Sequence, residues 1–210
     1  MRRPRVAVAC VAAILLSYPA WKPFAKRNGW FVIATNVGAD FLRRSGWISG
    51  QIGQAAALNP PQAGLSQDVA RTQAIYRAYL HYAGWKDSQV AGKRILELGP
   101  GYHIGVPLLF AAQGASYVAA LDKFVSFQTG PYFRDFYSRL RNTLSYKGRT
   151  DFDSAIQLQP QLALHSARIQ YIYRKELPQV VNQLGAGTFD LIASNAVIEE
   201  MYDPEASFQA

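Results

Sequence analysis

The fold is decided by residues 93–122, which read KRILELGPGYHIGVPLLFAAQGASYVAALD. The stretch begins with a short apolar run that ends at a glycine-rich break, residues 99–101, and this pattern is typical of a strand that enters a tight turn. After Gly105 the apolar residues recur at helical spacing, and Gly114 stands where that helix is expected to end. A second apolar run then places Asp122 at its carboxyl end. We therefore predict a strand–helix–strand unit with an acid after the second strand.

The acids and glycines of this unit suit a ligand that contains a nucleoside. Gly99 and Gly101 allow the backbone to approach a ligand where a Cβ atom would collide with it, and Asp122 can accept hydrogen bonds from ribose hydroxyls. The pattern departs from the dinucleotide fingerprint G-x-G-x-x-G, because Ile104 stands where the third glycine is required. Glu97 is also an acid where a pyrophosphate would be repelled. A ligand that carries positive charge fits this arrangement better.

In these residues the stretch resembles class I S-adenosylmethionine-dependent methyltransferases, whose first motif reads acid-x-Gly-x-Gly-x-Gly and whose second strand ends in a ribose-binding acid. Glu97, Gly99, Gly101 and Asp122 match, and His103 occupies the third glycine position. The resemblance implies S-adenosyl-L-methionine as the cofactor, with its methionine end at the glycine turn and its ribose at Asp122. It assigns cofactor binding to Glu97, Gly99, Pro100, Gly101, Tyr102, Asp122, Lys123 and Asn195.

A second motif lies downstream, in residues 188–204, which read TFDLIASNAVIEEMYDP. An apolar run over residues 189–193 predicts a fourth strand before a helix-like segment. The motif resembles the fourth-strand motif of the same methyltransferases, FD-apolar-apolar-x-SN-x-apolar-EH. Asn195 and Glu199 stand in matching positions, and Glu200 replaces the histidine. The resemblance implies that Asn195 borders the cavity where the acceptor meets the methyl group.

The remaining apolar patterns predict the other elements of an α/β fold. We expect helices over residues 66–84, 131–144 and 178–185, and a third strand over residues 169–173. Ser66 is expected to cap the first helix, and Gly84 to end it. The fold class is therefore a Rossmann-like, doubly wound and mainly parallel sheet. Since the resembling family has seven strands, we expect this chain to be a truncated form with an exposed sheet edge.

An unusually long connection, residues 123–167, separates the second and third strands. Its helix carries an apolar stripe that either packs on the core or closes over a substrate, because long insertions in compact domains are often functional. His165 lies in a polar approach to the third strand, and nothing in the sequence places it at a site.

Positive charge is concentrated at the start of the chain. Residues 1–50 contain eight Lys or Arg and one Asp, whereas residues 51–210 contain fourteen basic and thirteen acidic residues, within a total net charge of +8. The rest of the chain is therefore nearly neutral, and we expect no nucleic-acid partner.

The same N-terminal arm indicates that the protein associates with a membrane surface. Three arginines in the first five residues precede an uncharged run over residues 6–16, the shape of a signal peptide or short anchor. The run is shorter than the roughly twenty residues of a membrane span. We predict an uncleaved membrane-associating arm over residues 1–50, a linker over 51–65, and a partial methyltransferase domain over 66–210 on the cytoplasmic side, where the cosubstrate is made. A signal sequence, a buried helix and a soluble cytoplasmic protein remain alternatives.

The expected reaction is transfer of a methyl group to an O, N or C nucleophile of a small-molecule, lipid or glycan acceptor. No base is assigned, although His103 and Glu199 are candidates. Two other functions remain open: a noncatalytic methyltransferase-like membrane partner, and a nicotinamide-dependent oxidoreductase. The single cysteine, Cys10, excludes a cysteine-rich metal site, and no zinc, iron or phosphate-binding pattern is present.

Overall fold

The computed structural model describes residues 64–195, apart from residues 126 and 186 and the side chain of residue 182. A 3₁₀ turn, Asp87–Gln89, precedes the first strand. The elements in chain order are α1 Leu65–Ala83, β1 Arg94–Leu98, α2 Gly105–Ala112, β2 Tyr117–Asp122, α3 Pro131–Asn142, α4 Tyr146–Asp153, β3 Ile156–Gln157, β4 Ala163–Leu164, β5 Ile169–Tyr173, α5 Leu177–Leu184 and β6 Leu191–Ser194.

Four of these strands form a parallel sheet in the order β5-β2-β1-β6. The chain runs outward through β1, β2 and β5, and then returns to place β6 on the other side of β1. In open parallel sheets such a reversal of strand order opens a crevice at the carboxyl ends of the strands. The arrangement confirms the expected Rossmann-like, mainly parallel α/β fold. β3 and β4 form a separate antiparallel hairpin.

Both faces of the sheet are covered by apolar side chains. Since successive strand residues point to opposite faces, Ile95 and Leu96 of β1 enter two different core clusters. The first cluster includes residues of α1, α2, α3 and α4, and the second includes Val180 of α5. This burial on both faces explains why β1 and β2 read as nearly continuous apolar runs.

The first helix is confirmed, but its predicted cap is wrong. α1 begins at Leu65, with Gly64 at the N-cap, so Ser66 lies inside the first turn. Leu65 packs against the core and extends the apolar face by one residue beyond the predicted start. The helix ends at Gly84 in the left-handed conformation (φ 67°), as predicted.

The long connection contains the predicted helix and two elements that the sequence patterns did not indicate. α3 buries the predicted stripe on the core: Phe133, Phe136, Tyr137 and Leu140 are each at most 3% exposed. The missed elements are α4 and the β3–β4 hairpin. α4 is mostly polar, and Phe152 is its one large buried side chain. The stripe is therefore a packing surface.

The fourth strand begins later than predicted. β6 covers Leu191–Ser194, and the carboxylate of Asp190, which precedes it, binds the start of β1. It accepts hydrogen bonds from Lys93 Nζ and from the Arg94 N–H, each at 2.8 Å. Phe189 lies before the strand and packs partly buried against the second core cluster.

Among the described residues, no helix is both long and apolar enough to cross a bilayer. The predicted arm over residues 1–50 and the downstream Glu199 and Glu200 lie outside the described residues, so these expectations stay predictions.

Candidate functional site

β1 carries Glu97 to the carboxyl edge of the sheet and buries it. The side chain is 4% exposed. Its Oε1 accepts a hydrogen bond from the Tyr79 hydroxyl of α1 at 3.2 Å, whereas its Oε2 is buried without a hydrogen-bond partner. Burial raises the pKa of Glu97 to about 8; the bond from Tyr79 opposes this shift, and the charge of Asp122 adds to it. A ligand group that carries positive charge or an N–H would satisfy the free oxygen.

The turn after β1 leaves room for a close ligand. Gly99 (φ 67°) and Gly101 (φ 76°) adopt the left-handed conformation that favours glycine. The Gly99 N–H donates to the carbonyl oxygen of Leu121 at 2.8 Å, which ties the turn to the end of β2. A Cβ atom on Gly101 would meet no other atom within 4 Å, so the space beside it is open. Pro100 lies between the two glycines and is partly exposed.

Asp122 ends β2 and is 6% exposed. Its Oδ1 accepts a hydrogen bond from the Phe124 N–H at 2.8 Å. Glu97 is the register partner of Ala120, two residues before Asp122, so both acids lie on the same face of the sheet. The structure therefore brings Glu97, the glycine turn and Asp122 to one corner of the fold.

His103, at the third glycine position, fastens the turn to the neighbouring helices. Its Nδ1 accepts from the Gly105 N–H at 3.3 Å, and its Nε2 lies 3.4 Å from the hydroxyl of Thr72. That hydroxyl donates to the carbonyl oxygen of Asp68, so its oxygen accepts from His103 Nε2–H. The ring stacks on Phe136 at a centroid distance of 4.3 Å. Burial lowers the pKa of His103 to about 4, and both ring nitrogens are occupied, so the histidine is a positioning group here.

A buried acid that was not predicted from the sequence lies beside this turn. Asp68 of α1 is 3% exposed, and it accepts a hydrogen bond from the Tyr132 hydroxyl of α3 at 2.7 Å. Burial and the bond to Asp68 raise the pKa of Tyr132. The spacing of four residues that places Asp68, Thr72 and Tyr76 on one helix face was the available signal.

The other predicted residues lie around the same edge with different partners. Tyr102 is partly buried, and its ring centroid lies 4.8 Å from that of His103. Lys123 follows β2 and forms an ion pair with Glu176 at 3.4 Å. Asn195 is exposed and directly follows β6, whose last residue is in register with Leu98. Asn195 therefore lies at the same sheet edge, whereas Lys123 is paired with the residue that precedes α5.

Comparison with known proteins leaves the family open. No family model matches the chain, and no curated protein matches it significantly. Among solved structures, the chain is similar to a cyclopropane-fatty-acyl-phospholipid synthase-like protein from Lactobacillus casei ATCC 334, with 17% sequence identity and a TM-score of 0.33. The match covers 65% of this chain and 42% of that protein, so the chain spans less than half of its length. A similarity this low assigns no function to the chain. A proposal about its function must rest on the residues of the site.

Proposed function

We propose that the chain is an S-adenosylmethionine-dependent methyltransferase that acts on a small-molecule, lipid or glycan acceptor. The observation that carries the proposal is the buried Glu97 with its unpartnered Oε2, directly before the turn of Gly99 and Gly101 and beside Asp122. A cationic ligand fits this corner, because a positive group near Glu97 favours the ionised carboxylate and satisfies the free oxygen.

The residues present fit the cofactor. Glu97 would hold the ammonium group of its methionine part, and Asp122 would accept hydrogen bonds from the ribose hydroxyls. The open space at Gly101 gives the backbone room to approach it closely. Tyr102 and Asn195 would border the site. Lys123 would do so only if it left its ion pair with Glu176.

When bound, S-adenosylmethionine supplies a methyl group on a sulfonium, which is already an activated electrophile. The contribution of the protein is then to align the acceptor nucleophile with the methyl group and to exclude water. His103 serves this role indirectly, since it holds the turn through Gly105 and Thr72. His103 is not available as a general base, because both of its ring nitrogens are hydrogen-bonded.

The acceptor class and the alternatives follow from particular residues. From the last residue of β6 the sequence reads SNAV and lacks the Asn-Pro-Pro-aromatic sequence of methyltransferases that act on amide or adenine amino groups, which favours other acceptors. A nicotinamide-dependent oxidoreductase is disfavoured, because Glu97 would face a diphosphate. A noncatalytic relative is favoured only by His103, the departure from the glycine motif.

Calorimetric titration of the full chain with S-adenosylhomocysteine, S-adenosylmethionine and NAD tests the proposal. We expect the two adenosyl ligands to bind and NAD not to bind. Asp122→Asn should weaken adenosyl binding about tenfold or more, because it removes charge-assisted hydrogen bonds to the ribose. Asp135→Asn, a matched change on the exposed side of α3, should leave the affinity unchanged.

Three outcomes would contradict the proposal. A folded chain that binds neither adenosyl ligand lacks the site. Preferential binding of NAD would indicate the oxidoreductase instead. If the wild type and Asp122→Asn bind the adenosyl ligands with equal affinity, Asp122 does not bind the ribose.

A further inference from the structure

A polar cavity of about 490 Å³ lies between α3, the end of α4 and the β3–β4 hairpin. It shares no lining residue with the corner around Glu97. Its charged and polar walls come from three consecutive elements of the long connection. The lining residues that matter here are Arg134, Asp135, Ser138, Arg141, Asp153 and His165.

One wall of the cavity is a closed ion pair. The guanidinium of Arg141 donates from Nε and Nη2 to the two carboxylate oxygens of Asp153, each at 2.6 Å. A bidentate pair of this kind fixes both side chains and neutralises both charges. Arg141 and Asp153 therefore shape the cavity, and they leave the recognition of a charged ligand to other residues.

Arg134 is the cation that lacks an acceptor. Its Nε is buried and makes no hydrogen bond. A buried donor without an acceptor is costly, so an oxyanion that bonds to this guanidinium would be stabilised. The adjacent Asp135 also lines the cavity, but its carboxylate is exposed to water. The negative charge of Asp135 balances the positive charge of Arg134 at long range. An anion must therefore be recognised through short hydrogen bonds.

Two further residues of the lining can add such bonds. Ser138 lies four residues after Arg134 and therefore on the same face of α3. His165 comes from the hairpin side, where its backbone N–H donates to the carbonyl oxygen of Ala155 at 2.9 Å and fixes its position. Both residues are exposed and line the cavity. A guanidinium, a hydroxyl and an imidazole that line one cavity from two elements form a donor set suited to a phosphate group.

We propose that this cavity binds the phosphate group of a small soluble molecule, with Arg134 as the principal donor and Ser138 and His165 as further donors. Phosphate binding at this cavity does not depend on methyl transfer. The long connection between β2 and β5 would then have a ligand of its own. His165, which the sequence placed at no site, acquires a role there.

Titration of the full chain with inorganic phosphate, at constant ionic strength and followed by amide chemical shifts, tests this site. We expect saturable binding with a Kd on the order of 1 mM. The shifts should concentrate in residues 134–138 and 156–165. Arg134→Gln should weaken binding about tenfold, and Arg134→Lys, which keeps the charge but loses the forked geometry, should give an intermediate affinity. Arg139→Gln, on the same helix but outside the cavity, is the control and should bind as the wild type does.

The proposal is overturned if the wild type shows no saturable binding, or if the shifts lie elsewhere. It is also overturned if Arg134→Gln binds phosphate as tightly as the wild type, or if Arg139→Gln loses as much affinity, which would mean general attraction to positive charge. Should Arg134→Gln fail to fold, the location of the wild-type shifts and the Arg134→Lys affinity still decide the question.

Discussion

Glu97 is held in the protein interior with one oxygen bonded to Tyr79 and the other without a partner. In the unfolded chain its pKa is the ordinary value of 4.5, whereas in the folded chain burial raises it to about 8. Between these two pH values the folded state binds more protons than the unfolded state. Stability conferred by the protonated carboxyl group is therefore lost as the pH rises through this window. A residue that opposes folding at neutral pH is a candidate for function.

The substitution Glu97→Gln is expected to abolish this loss of folding stability at higher pH. Glutamine keeps the shape and a hydrogen-bonding group, but it cannot ionise. The free energy of unfolding of the wild type should fall between pH 5 and pH 8 by on the order of 3 kcal/mol more than that of the variant. Urea unfolding at four pH values measures the difference. Glu176→Gln, a partly exposed control, should retain the wild-type slope, and parallel slopes for wild type and Glu97→Gln would refute the assignment.

Residues of the candidate site differ in how far they could be predicted. Glu97, Gly99, Gly101 and Asp122 are close in sequence to strand ends, so the local pattern of strand, turn and strand was enough to place them. The contact between Asp68 and Tyr132 joins residues 64 positions apart and follows from how α1 and α3 pack. No local pattern contains that information.

At the level of elements, α2 begins where three helices meet. A Cβ atom on Gly105 would lie 2.7 Å from Thr72 Cγ2 of α1 and 2.9 Å from Phe136 Cζ of α3. These distances are well inside van der Waals contact, so the absence of a side chain allows α2 to approach both neighbours. The same glycine donates to His103, which links helix packing to the shape of the turn.

Gly105→Ser is therefore expected to destabilise the fold by about 2 kcal/mol, because the added atoms overpack the junction. The same substitution at Gly130, whose Cβ would meet nothing within 4 Å and which precedes α3, should cost nothing measurable. Thermal or urea unfolding of the two variants makes the comparison. If Gly105→Ser and Gly130→Ser were equally stable, the neighbouring helices would have moved to accommodate the side chain at residue 105.

The elements that the sequence predicted are those with a strong apolar period. β5 has the predicted bounds, and α3 has the predicted buried stripe. α4 and the β3–β4 hairpin were missed because their residues are mostly polar and the two hairpin strands have two residues each. Such elements are held by neighbouring parts of the fold, and a short polar segment carries no period that reveals them.

In the whole molecule, Asp190 joins segments that are far apart in the chain. Its carboxylate binds Lys93 and the backbone of Arg94, and its N–H donates to the carbonyl oxygen of Arg94 at 2.8 Å. These bonds set the register in which β6 lies beside β1. The hydrogen bond from Lys93 holds the pKa of Asp190 below its usual range, so this anchor is ionised at neutral pH.

Asp190→Ala is expected to loosen β6 selectively. Amide hydrogen exchange should become faster in residues 191–194, since the strand loses its anchor, while residues 169–173 at the other edge of the sheet should keep their protection. Asp151→Ala, which removes an exposed ion pair with Lys147 inside α4, is the control. Uniformly faster exchange in both strands would mean that Asp190 supports the whole sheet and not one register.

The strand order also decides when the protein can fold during its synthesis. β1 receives its neighbour β2 soon after it is made, but Leu191, the register partner of Ile95, is added about 96 residues later. At ordinary translation rates of about 5–20 residues per second, that interval lasts roughly 5–20 s. For this time one edge of β1 has no partner strand, and the charged side chains of Lys93 and Arg94 at its start discourage pairing with other nascent chains.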